Sequence, residues 1–225
     1  MNELVIICIL IICLLSLWLA YKKGKNLGLI SIFITSNILT FILNFKYIEI
    51  KTLTINANAI VYVTMFISLY LLIESKDKKS VNKIINLNFL LNLICATLIF
   101  LESNYVQSLN DTIGINMKNV FIDNSRILLS YPFTMLISQK ILLLLYNKIK
   151  NIYDNLFISM VTTYLAAGLI ESILYMFISY YGILSNQAII KLLLSTYMLR
   201  LIITVIYAIF LTIIPTNKKV LKWQT

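Results

Sequence analysis

The chain has 225 residues, a formal charge of +10 with no His, 60% hydrophobic residues and a mean hydropathy of +0.89. Such a composition excludes an ordinary soluble domain and predicts repeated membrane spans. The charge does not imply a nucleic-acid partner, because the lysines fall in short clusters between apolar runs rather than along a basic groove with its own domain.

The first apolar run, Asn2 to Tyr21, has about the ~20 residues a spanning helix needs and ends against Lys22 and Lys23. Without a basic segment before it or a small-residue cleavage site after it, it reads as a retained helix rather than a signal peptide. Further spans are predicted at Leu27 to Phe45, Ala57 to Ile73, Ile84 to Leu101, Arg126 to Tyr146, Leu156 to Ile183 and Ile189 to Ile214. The third is short and carries Asn58, Thr64 and Ser68, so it and the first are the weakest of the seven. The longest connection, Glu102 to Asp123, has room for a short strand or helix. The fold class is therefore all-α: a polytopic transmembrane helix bundle of six or seven spans, with residues 1–225 forming a single integral membrane domain.

Loop lysines set the expected orientation. Lys22, Lys23, Lys25, Lys76, Lys78, Lys79, Lys83, Lys148, Lys150, Lys218, Lys219 and Lys222 fall on one side of the alternation, against Lys46, Lys51, Lys118 and Lys191 on the other. The positive-inside rule then puts the N-terminus outside and the C-terminus in the cytoplasm. The abundance of Ile, Asn and Lys resembles that of an AT-rich bacterial genome without naming an organism, and the expected location is the bacterial cytoplasmic (inner) membrane, as a multi-pass protein.

Polar residues inside the spans are the candidate functional groups. In the second span Asn37 and Asn44 are seven apart on one face, and in the fourth Asn88, Asn92 and Cys95 repeat the device. These amides serve either as hydrogen-bonding glue between helices or as a cavity lining. The fifth span carries Arg126, Ser130 and Lys140 along one side, with Pro132 in its first turns. Lys140 either snorkels to the cytoplasmic surface or serves a site. In the sixth, Tyr164, Gly168, Glu171, Tyr175 and Ser179 form a stripe with a gap over the glycine; in the seventh, Thr196, Arg200, Thr204 and Tyr207 form another. Taking 1.5 Å per residue, Glu171 lies ~18 Å and Arg200 ~15 Å below the outer ends, so the two should meet. Their pairing is either structural or one wall of a substrate cavity. Phenols beside charged donors suit a flat heteroaromatic ligand. Cys8, Cys13 and Cys95 lack metal-ligand spacing and read as small buried hydrophobes. With no His, no clustered nucleophile and base, and no phosphate loop, no enzyme, metal or cofactor is expected.

At these residues the chain resembles the vitamin-uptake-transporter-like family of queuosine precursor transporters, membrane proteins that import deazaguanine bases. The resemblance runs from the opening MNEL and YKKGKNLGL through Ser36-Asn37 and Glu74 with KDKKSVNKII. It is strongest in DNSR ending at Arg126, in SQKILLLLYNK with Gln139, Lys140 and Tyr146, in YYGI, and in TYMLR with Tyr197 and Arg200. The chain departs from the family pattern near Leu69 and Tyr70, where an acid is expected, at Leu142, where relatives often have Asp, and at Gly168 and Glu171, where they have amides. The resemblance implies import of a queuosine precursor or similar purine-like base, and a six-helix core. It adds Gln139 and Tyr197 to the expected substrate-binding set of Asn37, Arg126, Ser130, Glu171, Tyr175 and Arg200. Two other readings stay open: a substrate-binding subunit of an energy-coupling-factor vitamin transporter, and a non-transporting membrane interaction protein. The expected partners are the lipid bilayer and a small heteroaromatic substrate, together with a second copy or coupling subunits.

Overall fold

The computed structural model describes residues 2–105, 112–122, 124–153 and 155–213. Helices α1 (Asn2–Leu19), α2 (Lys25–Leu43), α3 (Ala59–Ser75), α4 (Lys78–Glu102), α5 (Thr112–Phe121), α6 (Ser125–Ile152), α7 (Leu156–Tyr180) and α8 (Asn186–Ile213) account for nearly all of it. The long apolar stretches Asn2–Leu43, Lys78–Glu102, Ser125–Ile152, Leu156–Tyr180 and Asn186–Thr212 are each long and apolar enough to cross a membrane, and α3 is a shorter apolar helix. The protein is an all-α bundle of membrane type. Lys218, Lys219 and Lys222, Ile214 at the end of the seventh expected span, and Asp123 lie outside the described residues.

Asn2–Leu43 is not one straight rod. A continuous 42-residue helix would carry its ends about 60 Å apart, yet the Asn2 amide donates to the Glu49 carbonyl, just beyond α2, at 2.7 Å. The chain reverses through a π-helical turn at Ala20–Gly24 and through Lys25, whose φ of 49° is left-handed. Gly28 makes the reversal possible: a Cβ there would stand 2.2 Å from the Ala20 carbonyl oxygen. On the outer side of α1, Cys8 is exposed rather than buried, contrary to expectation, among apolar side chains suited to lipid.

The connection from α2 to α3 is a β-hairpin that the sequence reading passed over. Strands β1 (Tyr47–Ile50) and β2 (Leu53–Asn56) pair antiparallel, Tyr47 opposite Asn56 and Ile50 opposite Leu53. The Lys51-Thr52 turn places Lys51 at a φ of 52°. Within the long fourth-to-fifth connection, α5 supplies the short helix for which room was left.

Helix α3, expected with the first to be the weakest of the spans, is the axis of the molecule. Every residue from Ala59 to Ile73 is buried. A helix that is apolar all round belongs in the middle of a bundle, and α2, α8, α1, α4 and α7 all contact it. The helices that follow pack in series, α4 on α6, α6 on α7 and α7 on α8.

Candidate functional site

The polar centre of the bundle lies where α3, α7 and α8 meet. Glu171 and Arg200 are each 1% exposed, and Arg200 Nη1 donates to Glu171 Oε2 at 3.0 Å. Around them the donors and acceptors interlock. Arg200 Nη2 donates to Asn58 Oδ1 at 2.9 Å, and Nη1 also reaches Ser172 Oγ at 3.4 Å. Tyr62 Oη donates to Glu171 Oε2 at 2.9 Å. The guanidinium lies 3.6 Å from the centroid of the Tyr62 ring, so one tyrosine supports the cation with its face and the carboxylate with its hydroxyl.

A second layer of amides fixes Asn58. Its Nδ2 donates to Asn44 Oδ1, and its backbone N–H to Asn56 Oδ1 at 3.0 Å. Asn56 in turn donates to the Asn44 carbonyl and, through its backbone, to Thr196 Oγ1. The β-hairpin thus helps to build the site, because it brings Asn56 and Asn58 to the end of α2 and to α8. On the opposite side Tyr62 stacks on Phe66, and the Tyr164 ring meets both edge-on. The expected gap over Gly168 is filled by that same ring, since a Cβ at 168 would lie 3.1 Å from Tyr164 Cζ.

Among the donors buried here without a hydrogen-bond partner are Arg200 Nε, Asn44 Nδ2 and Tyr164 Oη. Tyr175 lies one turn from Glu171 on α7, about 6 Å along the axis, and packs edge-on against Tyr180. The centre is thus a charge pair that neutralises itself, almost wholly buried and flanked by aromatic faces and unused donors.

The other expected site residues are distributed elsewhere. Asn37 is held in a separate cluster: Tyr131 Oη donates to its Oδ1 at 2.7 Å and to its carbonyl, and Asn92 Nδ2 reaches the same Oδ1 at 3.3 Å. Of its two readings, the amide cluster therefore fits the glue between α2, α4 and α6. Ser130 shares a hydrogen bond of 2.7 Å with Ser179 across α6 and α7. Gln139 is buried with Nε2 against Met65 Sδ, and Tyr197 Oη donates to the Leu165 carbonyl. Lys140 donates to Asn82 and Asn86 of α4 rather than to the central site. Arg126 is exposed and donates to the carbonyls of Ile178 and Tyr181 at 2.8 Å, which places it at the C-terminal end of α7, about two turns from Glu171. The central site is thus lined from α3, α7 and α8, with Asn44 of α2 behind, rather than from the second, fifth, sixth and seventh spans together. Sequence reasoning missed Tyr62 and the ligating role of Asn58; their spacing of four on one helix was the available signal.

No curated protein and no solved structure matches the chain. The family model described as "Putative vitamin uptake transporter" matches residues 56–214, from the end of β2 through the whole of α3, α7 and the described part of α8, and so covers every residue of the Glu171–Arg200–Tyr62–Asn58 network. A match over more than two thirds of the chain, on a bundle of membrane-crossing helices, settles kinship: the protein is a multi-pass membrane protein of the vitamin uptake transporter family.

Proposed function

We propose that the protein imports a neutral, flat heteroaromatic compound of the queuosine-precursor type, a 7-deazaguanine-like base, across the bacterial inner membrane. The observation that carries the reading is the buried Glu171–Arg200 pair, which stacks on Tyr62 and leaves Arg200 Nε and Tyr164 Oη as unused donors. Guanine-like edges combine carbonyl and ring-nitrogen acceptors with amine donors. The acceptors would meet the free donors, and the amine would meet the Glu171 carboxylate. Because the pair is neutral overall, a neutral ligand enters without a charge to desolvate. Binding and passage require no covalent step. The loop lysines support an outside N-terminus, a cytoplasmic C-terminus and seven crossings, α1 and α2 counting separately because the chain reverses between them.

The test is a bacterial strain that depends on this gene for queuosine in its tRNA. At limiting precursor, deletion should abolish the modified nucleoside and the intact gene should restore it; an unchanged tRNA profile would overturn the assignment. The family's description as a vitamin transporter favours a second reading, a substrate-binding subunit with separate coupling partners. Co-purification of a membrane coupling protein with ATPases would support it, and uptake by the single chain in vesicles would oppose it.

A further inference from the structure

A cavity of about 560 Å³ opens at the end of the bundle where α7 stops and α6 and α8 begin. Its size is that of a small-molecule site. Ile127, Ile183, Leu184 and Leu192 make an apolar wall, and Tyr47 and Tyr180, whose phenols hydrogen-bond to each other, line it from the hairpin and α7. Its charged lining residues are Arg126 and Lys191; among the described residues no acid lines it. Two helix N-termini add to the positive field, since Asn124 to Ile127 form the start of α6 and Ala188 to Leu192 lie in the first turns of α8.

Arg126 is already held in place by the carbonyls of Ile178 and Tyr181. Two hydrogen bonds use two of its five N–H groups, so fixed, charge-assisted donors remain. Capping α7 accounts for one cation but not for Lys191 in the same cavity. Among the described residues the one negative element in the cavity, the C-terminal end of α7, is already met by Arg126. Lys191 and the two positive helix ends are therefore left without a counter-charge, which a bound anion would supply.

We infer that this cavity is an anion-binding site, distinct from the Glu171–Arg200 centre, which takes the phosphate or carboxylate of a molecule whose apolar part lies against Ile127, Ile183 and Leu192. The anion comes either from an acidic lipid headgroup or from a free aromatic acid. To separate the two, the full chain is placed in nanodiscs of phosphatidylcholine with phosphatidylglycerol, and lipids retained on the released protein are weighed by native mass spectrometry. In parallel, benzoate is titrated against protein in pure phosphatidylcholine discs while thermal unfolding is followed. Lys191→Glu is the diagnostic variant, because the side chain is exposed and the change should leave the packing of the bundle intact. Losing a charge-assisted contact should weaken binding about tenfold to a hundredfold. Phosphatidylglycerol retained by the wild type and lost in Lys191→Glu identifies a lipid site. Stabilisation by benzoate in the wild type alone identifies a site for a soluble acid. If neither lipid retention nor the benzoate response depends on residue 191, the inference is overturned. Neither readout involves uptake or the central pair, so failure here leaves the transport assignment standing, and the reverse holds too.

Discussion

Removing one member of the Glu171–Arg200 pair should damage the protein more than removing both. Glu171→Gln leaves Arg200 with Asn58, Ser172 and the Tyr62 ring, but with an uncompensated buried charge. Arg200→Gln strands the carboxylate with only Tyr62 Oη and Ser172 Oγ, and also empties the space of one of the largest fully buried side chains. Breaking a buried pair costs about 3–5 kcal/mol, and the arginine change loses a further ~1–2 kcal/mol of contact with the ring. For a chain of this size each single change should lower the melting temperature on the order of ten degrees, Arg200→Gln more than Glu171→Gln. In the double variant neither charge is buried alone, so much of the loss should return, with a coupling of about 2–3 kcal/mol. The assay is thermal unfolding of all four proteins in one detergent, followed by uptake in vesicles. If the pair is only a structural tie, the stable double variant should also transport; if it forms the site, it should fold and fail. Strictly additive losses would refute the reasoning, because they would mean that the two charges do not sense each other.

Tyr62→Phe keeps the ring under Arg200 and removes only the hydroxyl that donates to Glu171, so it should cost about 1.5–3 kcal/mol in a melting assay, well short of Arg200→Gln. Arg126→Lys should loosen the end of α7, because an ammonium cannot span the Ile178 and Tyr181 carbonyls as a guanidinium does; faster amide exchange after Tyr180 with an unchanged centre of the helix would show it. Gly28→Ala should open the α1–α2 turn, since the added carbon collides with backbone rather than with a flexible side chain; a disulfide engineered between residues 2 and 49 should then form poorly. Asp77, the N-cap of α4, accepts from the Ser80 amide at 3.0 Å, and hydrogen bonding to Ser80 holds its carboxyl below the ordinary value. A depressed carboxyl stabilises above its unfolded pKa and loses that contribution as pH falls through the folded value. Acidification should therefore weaken the start of α4, an effect that Asp77→Asn should remove from the exchange profile of Ser80.

What could be read in the sequence follows from which constraints are one-dimensional. Glu171 and Arg200 could be paired because their spans have recognisable ends joined by a short turn, so depth alone brings them level. Helix α3 defeated the same reading because periodicity carries information only when one face differs from another, and all of Ala59 to Ile73 is buried. Its Asn58 and Thr64 looked like marks of a poor span; in the fold Asn58 holds Arg200, and Thr64 shares a hydrogen bond of 2.6 Å with Tyr207. Tyr62 was invisible for the same reason, since nothing in an unpatterned run says which way it turns. The β-hairpin escaped because its turn is Lys-Thr instead of a glycine-containing pair, and Lys51 adopts a left-handed φ that its residue type does not announce. These misses share a cause. The sequence marks the surfaces an element presents to lipid or water, whereas the site is built from surfaces that elements present to one another, where a polar residue is paired rather than exposed. For a membrane protein, a polar residue that weakens a span's apparent hydropathy is therefore the place to look for the centre of the bundle, and the four-residue spacing of Asn58 and Tyr62 is how that centre is written on α3.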